Sequence, residues 1–562
     1  MPLWSLTESD SEAWTAADVA ATEEDNSSPA NVPERVGSFL QASSIGLRLR
    51  STLEDFLTFK DCQELLRATT LATVMHQGCH LFSTPAGSRD THSLSRVVDG
   101  IDVFLSHNWS TPRHAKFLTL VYEYNFGGAI WVMLLACMAI TIASSCSDAL
   151  AVPDKTIEPE LSRESGHACG CKLLSVPIFF VALFLGRDVA KCFGKPGPTL
   201  FLDKCCINQV DRTAQQHGIR KLGAFLSKSQ KMFVLYSDTY LQKLWTIYEI
   251  ASFLAIHDLR HLKIVPVSQP QTLFVLIAFW ELYHVLIVAL RIFEDFDYFA
   301  YALCIIGGFG IILTVRAWER DKAEIQKRVR NFVVQDATCA NEADRPLVYF
   351  NIQCLMQGKG LVAPGCSMDE ALETFNNLVR TTLPYAFLSM EGSRMFKFRD
   401  YLLFGFVADG VEGLDWFATL YLRGQPFRII LAESLYRVIW LAVWPSLMAV
   451  LELVCSYKMF LRGWREKVWL GLWLLLVFAV SAMFNEITNF MRVEARESDL
   501  SLALLFCLIP VVWAVCVGLC SSWRAPAAPP VDDLRHSSTD LLSIASIKHL
   551  KATVTPFVFG MT

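Results

Sequence analysis

Hydrophobic positions along this chain follow three rhythms. Long unbroken apolar runs fall at 127–145 (GGAIWVMLLACMAITIASS), 272–290, 298–315, 468–484 and 499–520. Each approaches the roughly 20 residues that a helix needs to cross a hydrocarbon core. Two further runs are ambiguous: 173–186 is short and contains Pro177, and 429–456 carries Glu433, Arg437 and Glu452. The Glu433/Arg437 pair has i,i+4 spacing and suits a headgroup boundary, with 438–456 spanning.

The second rhythm is a set of short apolar runs, and the third is spacing by three and four. Ile101–Ser106, Thr199–Leu202, Met232–Tyr236 and Ile264–Val267 read as strands. Between them Arg113–Asn125 has apolar residues at Phe117, Leu120, Val121 and Tyr124, Asn208–Gln216 is a polar loop, and Ile219–Leu226 and Leu244–Ile256 read as helices. Strands alternating with helices predict an α/β domain with a parallel sheet. Arg345–Ile352 is a candidate fifth strand, and Ser367–Thr382 an amphipathic helix with Met368, Ala371, Phe375 and Leu378 on one side.

The first strand and the rest of the sheet are separated by membrane-grade sequence, and parity constrains how. If 127–145 crossed alone, Ile101–Ser106 and Thr199–Val267 would lie on opposite faces of the bilayer, and one sheet could not hold both. Either 173–186 also crosses or neither run does; a hairpin over 127–186 is the expectation. Charge agrees. The loop 144–172 holds Asp148, Asp154, Glu158, Glu160 and Glu164 against Lys155, Arg163 and Lys172, whereas Arg187, Lys191 and Lys195 flank the return. Around a second hairpin, 272–315, Glu294, Asp295 and Asp297 lie on the far loop and Arg316, Arg320, Lys322, Lys327, Arg328 and Arg330 on the near side. Excess Lys/Arg marks the cytosolic face, which places the sheet in the cytosol. The far third resists this logic: 457–467 carries Lys458, Arg462, Arg465 and Lys467, yet a span at 429–456 puts that loop outside. Six or seven spans are expected in all, over 127–186, 272–315 and 429–520, with 316–428 a cytosolic region and the side of the C-terminus open.

Composition supports the membrane class. Of the 562 residues, 53% are hydrophobic and 19% charged, against about 25% charged in soluble domains. A net charge of −5 argues against a nucleic-acid binder. The 17 cysteines show no paired CxxC at zinc-ribbon spacing, so no metal site is expected. Cys146, Cys169 and Cys171 would face the oxidising side, as thiols or a disulfide. Cys205 and Cys206, read as strand neighbours, would point one into the core and one to the surface. The acidic, Ser/Thr/Ala-rich start, 1–60, lacks a signal-peptide pattern and reads as disordered. The tail 521–562, with APAAPP, reads the same way.

Candidate chemistry gathers at strand ends. Ser106, His107 and Asn108 follow the first strand, and Asp203 follows the second, where ligands collect in open α/β sheets. The competing readings are a turn in which Ser and Asn bond backbone, and an Asp203–Lys204 pair. Trp245 and Glu249 are four apart and share a helix face. Glu281 and His284 lie three apart inside 272–290, where ionisable groups mark a path for ions or protons unless they pair between helices. No nucleotide loop, kinase signature, HExxH or nucleophile elbow occurs.

Five motifs in order carry a resemblance. IDVFLSH at 101–107, FLD at 201–203, the run from Ser229 through FVLYS at 233–237, LW at 244–245 and YEI at 248–250 resemble the TIR domain over roughly 100 residues (about 100–126 and 196–268). DKCCINQ at 203–209 is similar to the signature of the fungal heterokaryon-incompatibility domain, a TIR relative. The resemblance implies a flavodoxin-like parallel sheet that assembles with other TIR-like domains, often as homo-oligomers. In members that cleave NAD, the residue matching Glu249 contacts the nicotinamide ribose and the one matching Trp245 lines the pocket. Ser106, His107, Asn108 and Asp203 would complete the substrate crevice. NAD is then a substrate, and no cofactor is implied. The chain departs from the family in its membrane hairpin between first helix and second strand, in the lack of a fifth strand before 272, and in a His-Asn-Trp loop without the basic residues some enzymatic members place there.

The resulting expectation is a multi-pass membrane protein with a cytosolic TIR-like domain that self-associates in signalling or defence and cleaves NAD through Glu249. The alternatives are a non-catalytic scaffold of the same fold, and a channel or transporter regulated by that domain.

Overall fold

The structure is a computed structural model. It describes residues 57–437, apart from 61, 148–150, 153–166, most of 292–323, 340, 390–395 and a few positions beyond 431.

A six-stranded sheet organises the described residues, in the order β2-β1-β6-β3-β7-β8. Its strands are β1 (Arg67–Thr70), β2 (Arg96–Val97), β3 (Ile101–His107), β6 (Thr199–Phe201), β7 (Ser229–Tyr236) and β8 (Leu262–Pro266). The short pair β4 (Ala151–Val152) and β5 (His167–Ala168) stands apart. The last four strands of the sheet are parallel, with Val103 opposite Leu200, Ser106 opposite Val234, and Val234 opposite Ile264. Nearly every residue of β3 is buried, the mark of a parallel strand covered on both faces. Phe104 and Phe201 stack across β3 and β6 at 4.5 Å.

β1 runs antiparallel to β6 and β2. Its four residues, Arg-Ala-Thr-Thr, carry no strand rhythm; pairing along β6 makes them a strand. The helix α1 (Leu71–Cys79) follows directly, capped by the Thr70 side chain, which accepts from the Thr73 N–H. The stretch 61–99, which the apolar pattern left without a role, is thus part of the sheet domain.

After β3 come α2 (Arg113–Tyr124) and then the hairpin, α3 (Phe126–Cys146) and α4 (Gly170–Cys192). α4 is nine residues longer than the apolar run 173–186, and Pro177 sits inside it. Two helices among the described residues are long and apolar enough to cross a membrane: α3 and α4, with mean hydropathy 2.2 and 1.9. That replaces the six or seven expected: the expected span 272–290, described as a helix, is not one of the two, and nearly all of 298–315, most of 429–456, and 468–484 and 499–520 lie outside the described residues. Trp131, Leu135, Met138 and Ile142 of α3, and Val181, Leu185 and Val189 of α4, are exposed. Between the two helices Phe126 meets Phe179 edge-on at 5.7 Å, and the Asn125 amide donates to the Leu183 carbonyl at 2.8 Å. The split sheet is stitched at the hairpin's base. The Asp102 carboxylate accepts from the Thr199 N–H and hydroxyl, both at 2.8 Å, while Thr199 Oγ1 accepts from the Asp102 N–H.

Past β6, one turn of helix, α5 (Asp203–Cys206), buries both Cys205 and Cys206. This corrects the one-in, one-out reading, which assumed a strand. The loop 208–216 is cut short: Asp211 accepts from Thr213 and Ala214 N–H groups and starts α6 (Arg212–Arg220). α7 (Leu222–Lys228), β7, α8 (Leu244–Ile256), β8 and α9 (Ser268–Arg291) follow.

Arg345–Ile352 is no strand. It opens α10 (Arg345–Gly358), with Pro346 in its first turn and Val348, Ile352 and Leu355 buried. Proline suits a first helical turn, since it has no N–H to satisfy there. α11 (Met368–Ser389) buries Ala371, Phe375 and Leu378 and packs on α10, α8 and β8, which attaches this region to the sheet.

Candidate functional site

The parallel strands run β6-β3-β7-β8 in space but β3, β6, β7, β8 along the chain. The chain leaves β3 toward β6, then returns across β3 to β7. β3 is therefore the switch point, and the crevice beyond its carboxyl end is where such sheets bind ligands. Three of the expected residues, Ser106, His107 and Asn108, lie at that end.

Ser106 faces α8. Its Oγ donates to Glu249 Oε2 at 2.5 Å and is 2.6 Å from the Tyr240 hydroxyl. Since the Ser106 proton goes to the carboxylate, the Tyr240 proton is directed at Ser106 Oγ, and the three form a relay Tyr240→Ser106→Glu249. Ser106 and Tyr240 are buried, and Glu249 is half-buried. Burial pushes the Glu249 carboxyl up to about 8; the Ser106 bond pulls against this, and the neighbouring charge of Asp203 adds to it. A carboxylic acid titrating near neutrality can hold or release a proton during a reaction.

His107 points to the other face of β3. Its ring meets Phe82 at 4.9 Å and Trp109 at 4.7 Å. Burial, helped by Lys116, drives the imidazole well below its usual range, so it is neutral. The Lys116 ammonium is fully buried, 4.8 Å from the Phe82 ring and 5.0 Å from that of Trp109. Neither Lys116 Nζ nor His107 Nε2 has a hydrogen-bond partner among the described residues. Burial brings Lys116 down to about 7, against the pull of Asp203. Asp203 closes this side: its carboxylate accepts from the Trp109 indole at 2.9 Å and from the Lys204 N–H at 2.7 Å, and burial raises its pKa. Lys204 does not pair with it; its ammonium reaches the Leu81 and Thr84 carbonyls at 3.1 and 2.8 Å.

The expected site residues thus divide. Ser106 and Glu249 come together, while Asp203 lies on the His107 side, accepting from Trp109. His107 lies behind them, in an aromatic cluster. Asn108 forms the turn: its Oδ1 accepts from the Ser110 N–H at 3.0 Å and its amide donates to Thr239 at 2.8 Å. Trp245 is four residues from Glu249, but its ring meets Tyr248 at 6.0 Å and its indole favours the Asp344 carboxylate. It is not joined to Ser106 or Asp203. Tyr240, Trp109 and Lys116 went unnoticed in the sequence. Trp109, one residue past Asn108, was the most findable; Tyr240 and Lys116 sit in ordinary turn and helix contexts.

Both carboxylate oxygens of Glu281 on α9 lack a hydrogen-bond partner among the described residues. His284 is buried beside Trp280 at 6.2 Å. No group of three or more His, Cys, Asp or Glu among the described residues is placed to hold a metal. Cys146 is exposed, and Cys169 and Cys171 are buried. Compared with protein-family models, curated proteins and solved structures, the chain matches none.

Proposed function

We propose that this chain is a multi-pass membrane protein whose cytosolic TIR-like domain self-associates and cleaves the bond between nicotinamide and ribose in NAD. The observation that carries the reading is the Ser106–Glu249 bond at the switch point. It holds a proton-labile carboxyl at the carboxyl end of β3, where the charge of Asp203 also acts on it. In the cleavage, nicotinamide leaves C1′ of the ribose with the bonding electron pair. The ionised Glu249 carboxylate stabilises the oxocarbenium-like charge that develops. Water then adds at C1′, and its proton passes to Glu249 or to solvent. Ser106 is a positioning residue here: it orients Glu249 and favours the ionised form.

A second reading has its own support. Trp245 is occupied by Tyr248 and Asp344, which suits a non-catalytic scaffold that uses the same fold to bind other TIR-like domains. Unpartnered Glu281 is the feature that favours a channel or transporter.

The deciding experiment incubates purified protein with NAD, alone and forced to cluster, and follows nicotinamide release beside Glu249→Ala. Release by wild type only supports the enzyme. Background from both, clustered or not, removes catalysis and leaves the scaffold. Ion flux in proteoliposomes tests the third reading.

A further inference from the structure

Residues 316–428 carry too much charge to look like membrane sequence, yet their last part runs the length of the hairpin. α12 (Phe398–Gly405), a π-helical turn (Phe406–Gly410) and α13 (Val411–Leu422) are continuous. Together they rise ~37 Å, more than the ~30 Å of a hydrocarbon core. At the sheet end Asp400 Oδ2 accepts from the Tyr122 hydroxyl at 2.5 Å, one turn before α3 begins. At the other end Asp415 accepts from the Cys171 and Lys172 N–H groups at 2.9 and 2.8 Å, capping the start of α4. Thr419 Oγ1 accepts from the Ala168 N–H at 3.0 Å, in the loop that joins α3 to α4. The helix therefore starts level with the hairpin's base and ends level with its tip, parallel to α3.

We infer that Phe398–Leu422 crosses the same bilayer as the hairpin, with its uncovered face against lipid hydrocarbon. This rests on the reading that the hairpin itself crosses. Leu402, Phe417 and Tyr421 are exposed along the helix, as is Phe427 just after it. α3, against which this helix packs, exposes Trp131, Leu135, Met138 and Ile142. Two of the charges that hide the segment from a hydropathy reading, Glu412 and Asp415, are answered inside the bundle. Asp415 caps α4, and Glu412 lies 3.3 Å from Lys172 and 3.2 Å from Arg437. Ionisable groups at membrane depth occur in such pairs. Arg437 belongs to the returning chain, past a turn in which Gly424 adopts φ +64°. Gly413 packs against it; a Cβ there would sit 2.8 Å from that of Arg437.

Parity then closes. If 398–422 leaves the cytosol, a span at 429–456 returns to it, and Lys458, Arg462, Arg465 and Lys467 land on the cytosolic side, where the charge rule wants them.

The test inserts one epitope tag between Gly424 and Gln425 and, in a separate chain, one between Thr156 and Ile157. Antibody is applied to intact and to permeabilised cells. Both tags exposed on intact cells is the expected result. A 156/157 tag exposed while the 424/425 tag appears only after permeabilisation overturns the third crossing and leaves the hairpin standing. Both tags reading on the same side as a tag placed before Ile101, in intact cells and in sealed intracellular membranes alike, removes the hairpin reading itself. Should the 424/425 insertion prevent accumulation, Arg423→Lys in the full chain is labelled with a membrane-impermeant amine reagent. Labelling from the side that labels Lys155 supports the crossing, and labelling only from the opposite side overturns it.

Discussion

The carboxyl edge of β3 and the tip of the hairpin both bury acids, and they treat them differently. At the hairpin tip each acid is answered: Asp415 by two backbone N–H groups, Glu412 by two cations. At the sheet edge the accounts stay open. Glu249 has one hydroxyl and an unfriendly neighbour in Asp203, while Lys116 and His107 keep atoms without partners. Compensated burial holds helices together. Uncompensated burial costs stability and leaves groups poised to change protonation, which is what chemistry at a site uses. The first region reads as architecture and the second as function.

Substitutions can break that contrast. The largest loss is expected from Glu412→Ala, which strands the buried Lys172 and the half-buried Arg437. Removing one partner of such a pair costs about 3–5 kcal/mol, seen as a lower unfolding temperature in detergent. Asp415→Ala, which uncaps two buried N–H groups, should cost about 2–4 kcal/mol in the same assay. If either costs less than Glu249→Ala, the tip is not the structural region and the comparison inverts.

Glu249→Gln should keep the fold and lower nicotinamide release on the order of 100-fold or more. For the wild type, release should climb as pH rises through about 8, where Glu249 ionises. The stability sign runs the other way. A carboxyl raised from 4.5 to about 8 holds its proton in the folded state after the unfolded chain has lost it. Its stability contribution is whole below pH 4.5 and is lost as pH climbs to 8. Glu249→Gln should therefore melt higher than wild type above pH 8 and no higher at pH 4; a uniform difference would mean Glu249 does not titrate as described.

Ser106→Ala should cost about 1 kcal/mol. More tellingly, it should move the rise in activity to higher pH, because the Ser106 bond favours ionised Glu249. A fall in rate with an unmoved pH profile would deny Ser106 its positioning role. An effect of the opposite sign is expected from Lys116→Met. With its pKa down at about 7 from 10.5, Lys116 binds fewer protons folded than unfolded between those values, so it destabilises most below pH 7. Replacement should raise the melting temperature, more at pH 6 than at pH 10.

Some of this was legible in the sequence for a definite reason. β3, β6, β7 and β8 are buried on both faces, so their apolar runs announce them without a partner in view. Glu249 sits on a helix whose boundaries, Leu244–Ile256, the apolar pattern delimits. Arg345–Ile352 went wrong because a short apolar run is compatible with either strand or helix. Pro346 was the neglected clue. The π-turn and α13 were invisible because hydropathy counts charges and not their partners.

The sequence by itself determined the alternation of strands and helices, the hairpin's apolar length and the charge asymmetry across it. These are local: each follows from residue type and period. The tertiary structure alone decided that Arg67–Thr70 joins the sheet, that Ser106 meets Glu249 across 143 residues, that Trp245 turns elsewhere, and that Asp415 caps α4 across 243. Strand edges, helix ends and buried carboxyls each take whatever partner the folded chain brings within 3 Å, and nothing in the local sequence names that partner.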